Sequence, residues 1–93
     1  MVIVKGAVAG TMESSDVMIT VRPQSGGIDI SLKSTVEVCF GEQIVAVIRE
    51  ELERLGVEAA RVEAVDHGAL DCTIRARVTT AVRRACEEKG DVA

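Results

Sequence analysis

Aromatic side chains are almost missing from this sequence: Phe40 is the only one, with no Trp and no Tyr. Proteins that hold single-stranded nucleic acid stack bases on aromatic platforms, and duplex binders carry a clear excess of positive charge. With a formal net charge of −4, neither class fits. One Phe is also too little for an aromatic-lined ligand pocket. Histidine and proline occur once each, at His67 and Pro23. The three cysteines, Cys39, Cys72 and Cys86, form no CxxC pair, and His67 stands five residues before Cys72. That spacing matches no usual zinc pattern, which needs three or four ligands, so no metal is expected. Free thiols in a reducing compartment are the expectation. No apolar run is long enough to span a bilayer, and MVIVKGAVAG is too short for a signal segment before the polar ESSD. The chain is expected to be cytoplasmic.

What is present describes one small domain. Hydrophobic residues make up 47% and charged residues 28%, the balance of an ordered globular chain. A chain of 93 residues buries roughly 60–70% of its unfolded surface, which supports a core but no cleft between two lobes. Residues 1–93 are expected to form a single domain, with 89–93 frayed.

Val2 to Val8 is a short β-branched run that reads as a first strand. Small and polar residues from Gly10 to Asp16 break it into a loop. Val17, Ile19 and Val21 then alternate with Met18, Thr20 and Arg22, the pattern of a half-buried strand. Pro23-Gln24-Ser25-Gly26-Gly27 is a turn, and Ile28, Ile30 and Leu32 alternate again beyond it. The two strands are expected to pair as an antiparallel hairpin. From Ser34 two readings stand: alternation continues through Val36 and Val38, or Ser34 and Glu37 form a capping box.

By Gly41 the period has become helical, with Ile44, Ile48, Leu52 and Leu55 on one stripe and Gly56 as the stop. Ala60, Val62 and Ala64 alternate within a last strand over 59–65, and Asp66-His67-Gly68 is a turn. Leu70, Ile74, Val78, Val82 and Ala85 mark a second helix to about Glu88. The expected fold is α+β, in the order β-β-β-α-β-α, with two amphipathic helices packed on one face of the sheet.

Chemistry has few candidates, for the chain holds no P-loop, GxGxxG or triad spacing. The most polar loop is Glu13-Ser14-Ser15-Asp16. One reading is a turn whose Ser and Asp side chains cap backbone donors. The other is a serine modified by another enzyme, exposed and flanked by carboxylates.

The stretch AVAGTMESSDVMITV, residues 7–21, resembles the N-terminal signature of the citrate lyase acyl carrier (gamma subunit) family. The spacing around Phe40-Gly41 and Ile44 is similar to that family, and so is Gly68-Ala69-Leu70-Asp71-Cys72-Thr73-Ile74-Arg75-Ala76-Arg77. The likeness runs over nearly the whole chain. It implies that Ser14, following the Glu of the AGTxES block, carries phosphoribosyl dephospho-coenzyme A through a phosphodiester. Glycine is common in the family where this chain has Ser15, so two hydroxyls stand side by side here. The register from Gly10 and Glu13 assigns the first.

The resemblance implies a carrier without catalysis of its own. Its arm holds acetyl and citryl thioesters while citrate is cleaved to oxaloacetate and acetate. The implied partners are the alpha (acyl transferase) and beta (citryl lyase) subunits, a prosthetic-group transferase and an acetylating ligase. A carrier suits this composition, since a modifying enzyme can supply the base and a tether raises local concentration at each partner. The carrier subunit of malonate decarboxylase looks similar, although the GALDC segment favours citrate lyase. An α+β interaction domain without any arm is the rival from another class.

The other polar residues have plain readings. Glu13 and Asp16 cap the next strand or orient a modifying enzyme. Asp71 suits the start of the second helix, and Arg83 and Arg84 its end. Arg75 and Arg77 stand about 200° apart on the helix, so they form no single patch and are expected to be solvated. Cys72 and Cys86 are expected in the core, and His67 in solvent.

Overall fold

Apolar alternation organises the sheet in the computed structural model, which describes residues 1–34 and 41–86. The elements are β1 (Ala7–Gly10), β2 (Val17–Arg22), β3 (Ile28–Ser34), α1 (Gly41–Arg54), β4 (Ala60–Asp66) and α2 (Asp71–Cys86). Their order, β-β-β-α-β-α, is the one the sequence implies. Both readings of residues 35–38, the free thiol expected at Cys39, the family likeness at Phe40, the helix end near Glu88 and the tail 89–93 lie outside the described residues.

The strand order is β1-β2-β4-β3, and it corrects the expected hairpin. β2 and β3 do not pair. β2 is antiparallel to β1 on one side and to β4 on the other, while β3 runs parallel to β4. Burial explains the choice of central strand. Ala60, Val62, Ala64 and Asp66 are buried along β4, whereas Ile28, Ile30 and Leu32 of β3 are only partly covered, as an edge position requires. The Gly26-Gly27 turn carries the chain past β4, and the Ala60 N–H donates to the Gly27 carbonyl at 3.0 Å. α1 then makes the crossover that a parallel pair needs.

The first strand is also shorter than expected, starting at Ala7 instead of Val2. Its predecessors bond elsewhere: the Met1 amino group donates to the Gly56 carbonyl at 2.9 Å, and the N–H groups of Val4 and Lys5 to Ala85 at 2.9 and 3.2 Å. These bonds satisfy carbonyls around the two helix ends that have no partner within a helix.

The inner face of the sheet carries Val17, Ile19, Val21, Val62 and Ala64. Against it α1 packs Ile44, Val47, Ile48 and Leu52, and α2 packs Ile74, Val78, Ala81, Val82 and Ala85. Each fully buried Val, Ile or Leu contributes about 1.5–3 kcal/mol over an exposed one. Just beyond α1, Gly56 takes φ +76° and the Val57 N–H closes back to the Leu52 carbonyl at 3.0 Å.

One acidic group lies in the seam between the helices. Glu51 is 3% exposed and accepts from Arg54, from Thr79 Oγ1 at 2.7 Å and from Arg75 Nη1 at 3.5 Å. Arg54 above all holds its carboxyl down at about 2, against the opposing effect of burial. Arg75 also pairs with Glu50 at 2.9 Å.

Candidate functional site

β1 turns into the serine loop at Gly10, and no other residue fits there. Its φ is +106°, and a Cβ would lie 1.8 Å from the Val17 carbonyl oxygen. The chain then folds on itself through Thr11, whose hydroxyl accepts the Glu13 N–H at 3.2 Å and donates to Asp16 Oδ2 at 2.6 Å. The Asp16 N–H donates to the Glu13 carbonyl at 3.2 Å, closing a β-turn with Ser14 and Ser15 at its two central positions. Ser14 is exposed at the apex, and among the described residues its hydroxyl has no hydrogen-bond partner.

Ser15 is not equivalent to Ser14. Its φ is +65°, the left-handed region that favours glycine at the second central position of such a turn. Its N–H is committed to the His67 carbonyl at 2.7 Å, and the His67 N–H returns to the Asp16 carbonyl at 2.9 Å. The loop is thereby stitched to the turn after β4. Asp66 shapes that turn, accepting the N–H groups of Gly68 (3.1 Å) and Ala69 (3.0 Å) and the Ser34 hydroxyl (3.1 Å).

Asp16 fastens the base of the loop. The residue is 8% exposed, and its carboxylate accepts the Val17 N–H at 2.7 Å and receives Arg77 on both oxygens, Nε at 3.0 Å and Nη2 at 2.8 Å. The Arg77 guanidinium, then the Thr11 hydroxyl and the Val17 N–H, hold this carboxyl well below the usual carboxylate range. Capping is therefore part of its work, and anchoring to α2 is the larger part. Sequence reasoning missed Thr11 and Arg77 as members of the site, although both lie inside the AGTxES and RAR blocks.

Several other expectations need correction. Arg75 and Arg77 form no common patch, as their spacing implies, yet neither is a free solvated charge: Arg75 pairs with Glu50 and Glu51, and Arg77 with Asp16. Arg84 donates to the Val8 carbonyl at 2.7 Å and so ties α2 to β1. His67 is not in open solvent. The residue is partly covered, and Nε2 is buried without a partner among the described residues. Cys72 is exposed, on the outer side of α2. Cys86 is half-buried, and burial pushes its thiol up. Leu70 is 70% exposed and precedes α2 instead of extending its buried stripe. Asp71 does begin α2 and accepts from Gln43 Nε2 at 3.4 Å.

Among the described residues no group of three His, Cys, Asp or Glu side chains could hold a metal ion. No described helix is long and apolar enough to cross a membrane. What the site offers is a braced turn with two exposed hydroxyls, of Ser14 and Ser15, neither of them hydrogen-bonded among the described residues.

Comparison with known proteins agrees on a carrier family. A family model described as the malonate decarboxylase delta subunit, an acyl carrier protein, matches residues 4–85. The citrate lyase acyl carrier protein of Streptococcus mutans is 61% identical over 87% of this chain and 80% of its own length. That of Lacticaseibacillus casei is 53% identical over 89% and 82%, and that of Haemophilus influenzae 53% identical over 95% and 92%. A chain in the crystal structure of a Pseudomonas malonate decarboxylase hetero-tetramer in complex with malonate shares the fold, with a TM-score of 0.69 and 20% identity over 87% of this chain and 84% of that one. The chain belongs to the carrier family that this model describes and, by its identity to these relatives, to the citrate lyase acyl carrier proteins.

Proposed function

We propose that this chain is the acyl carrier subunit of citrate lyase and that Ser14 is the attachment point of a phosphoribosyl dephospho-coenzyme A arm. The observation that carries the reading is the unengaged Ser14 hydroxyl at the apex of a turn whose base is fixed by Asp16 and Arg77. The residues fit such a group. A phosphodiester needs a reachable hydroxyl; Ser14 and Ser15 both expose one, and the register from Gly10 and Glu13 favours Ser14. When bound, the arm supplies a thiol that carries the acyl group as a thioester.

This chain's own residues do three things. Ser14 holds the arm outside the body of the protein. Thr11, Asp16 and Arg77 keep the turn in one shape, so that an enzyme acting on Ser14 meets a preformed substrate. The remaining surface contacts the larger subunits, which perform acyl transfer and citryl cleavage. The carrier needs no base of its own, because the enzyme that forms the phosphodiester can take the serine proton.

Membership of a malonate decarboxylase subunit within a multisubunit assembly would be the second reading, and the family model favours it. Identity of 53–61% to citrate lyase carriers favours the first. The test is oxaloacetate formation from citrate. The arm-bearing, acetylated chain should give none alone and should restore turnover to citrate lyase alpha and beta subunits. Turnover by the chain alone, or restoration by malonate decarboxylase subunits acting on malonate and not by the citrate lyase pair, contradicts the proposal.

A further inference from the structure

Two large apolar side chains stand exposed beside the serine turn. Met12 is 53% exposed, two residues before Ser14, and Leu70 is 70% exposed at the end of the turn that His67 bonds to the loop. Leu70 follows His67 by three residues, so at most about 11 Å of chain separates them. Among the described residues the four other exposed large hydrophobics all lie at or before residue 8. Glu13, Glu42 and Asp71 are exposed near this same end, and none of them joins an ion pair among the described residues. The Gln43–Asp71 bond brings the starts of α1 and α2 together there.

We infer that Met12 and Leu70, rimmed by Glu13, Glu42 and Asp71, form the surface on which the prosthetic-group transferase docks to load Ser14. The inference rests on the reading of Ser14 as the attachment residue. Footprint argues for this occupant. An enzyme that joins Ser14 Oγ to a phosphorus of its donor, as a phosphoanhydride bond of that donor breaks, its outer phosphates leave and the serine proton passes to an enzyme base, must bring its own groups within bonding distance, whereas a subunit that handles the distal end of a long arm need not cover the turn. A standard protein interface takes about 800 Å² from each partner, a patch roughly 32 Å across. Centred on Ser14, such a patch covers Met12 and the 66–70 turn. Exposed apolar side chains at the centre of a footprint become its desolvated anchors, and charges at the edge set the sign of the partner. The acidic rim calls for a transferase face that is apolar in the middle and basic around it.

The experiment uses the full chain with the purified transferase and its coenzyme A-derived donor, following loading by intact mass. Leu70→Ser and Met12→Ser should each raise KM about tenfold with kcat within about twofold, the size of an interface anchor. Val2→Ser, also at an exposed apolar residue but on the segment that meets Gly56 and Gln24, should load as wild type does. Added salt should raise the wild-type KM, and should raise it less for Asp71→Asn. Thermal melts of each variant confirm folding, which substitution of exposed side chains leaves intact. Unchanged KM in both apolar variants, with the arm mapped to Ser14, overturns the docking surface and leaves the attachment residue standing. An arm mapped away from residues 13–16 overturns the reading of Ser14 and the surface with it.

Discussion

Arg77 of α2 grips Asp16 at the base of the serine turn with two parallel hydrogen bonds, 3.0 and 2.8 Å long, across 61 positions of sequence. A bidentate guanidinium pair fixes angle as well as distance, so the turn inherits the rigidity of the helix. Thr11 closes the same carboxylate from the other side. Arg77→Met should therefore raise amide exchange at residues 11–16 while the rest of the protein keeps its protection. Asp16→Asn should do the same, and the double variant should be no worse than the more damaging single one. Additive losses would show that the two residues act separately.

Gly10 makes a stringent prediction. Gly10→Ala places a Cβ 1.8 Å from the Val17 carbonyl oxygen at φ +106°, and the cost should be on the order of 3 kcal/mol or more by urea unfolding. Gly26→Ala is the comparison, with φ +83° but nothing within 4 Å. It should cost only about 1 kcal/mol, the left-handed penalty alone. Equal losses at the two glycines would mean that β1 and β2 do not approach as described.

Ser15→Gly tests the turn from the opposite direction. A residue at φ +65° loses its steric penalty when replaced by glycine but gains freedom in the unfolded chain. The net change should be within about 1 kcal/mol, and the variant should accept the arm as readily as wild type. Loss of loading would mean that the second hydroxyl takes part.

The seam between the helices titrates in a defined direction. Glu51 sits at about 2 in the folded protein against an ordinary 4.5, so its pairing stabilises fully above 4.5 and is lost as the pH falls toward 2. Solvent reaches Arg54, so Glu51→Gln should cost on the order of 2 kcal/mol at neutral pH, less than breaking a fully buried pair. In thermal melts the gap between wild type and variant should hold steady down to about pH 5 and close below it. A gap that widens on acidification contradicts this assignment.

Much of the fold was legible because burial leaves a period in the sequence. Val17, Ile19 and Val21 mark one face of β2, and Ile44, Ile48 and Leu52 one face of α1. Alternation names a face and not a neighbour, which is why the insertion of β4 between β2 and β3 could not be read. Leu70 fits the helical count with Ile74, but α2 starts at Asp71, and the 66–69 turn aims the preceding residue outward. Cys72 was legible and misread: two residues before Ile74, it stands about 200° around the helix from the buried stripe. Ser14 was reached through motif resemblance. Asp16 and Arg77 lie too far apart for any local pattern to link them, and His67 gave no sign that its backbone brackets the loop.

On the proposed reading a single hydroxyl, that of Ser14, carries the arm. The direct measurement is peptide mapping by mass spectrometry of the protein loaded by its transferase, alongside Ser14→Ala and Ser15→Ala. Truncating an exposed turn serine should change stability by under about 1 kcal/mol, so all three proteins should fold. The added mass is expected on Ser14 in wild type and Ser15→Ala, with no added mass in Ser14→Ala. An arm on Ser15, on both serines, or retained by Ser14→Ala would contradict that reading.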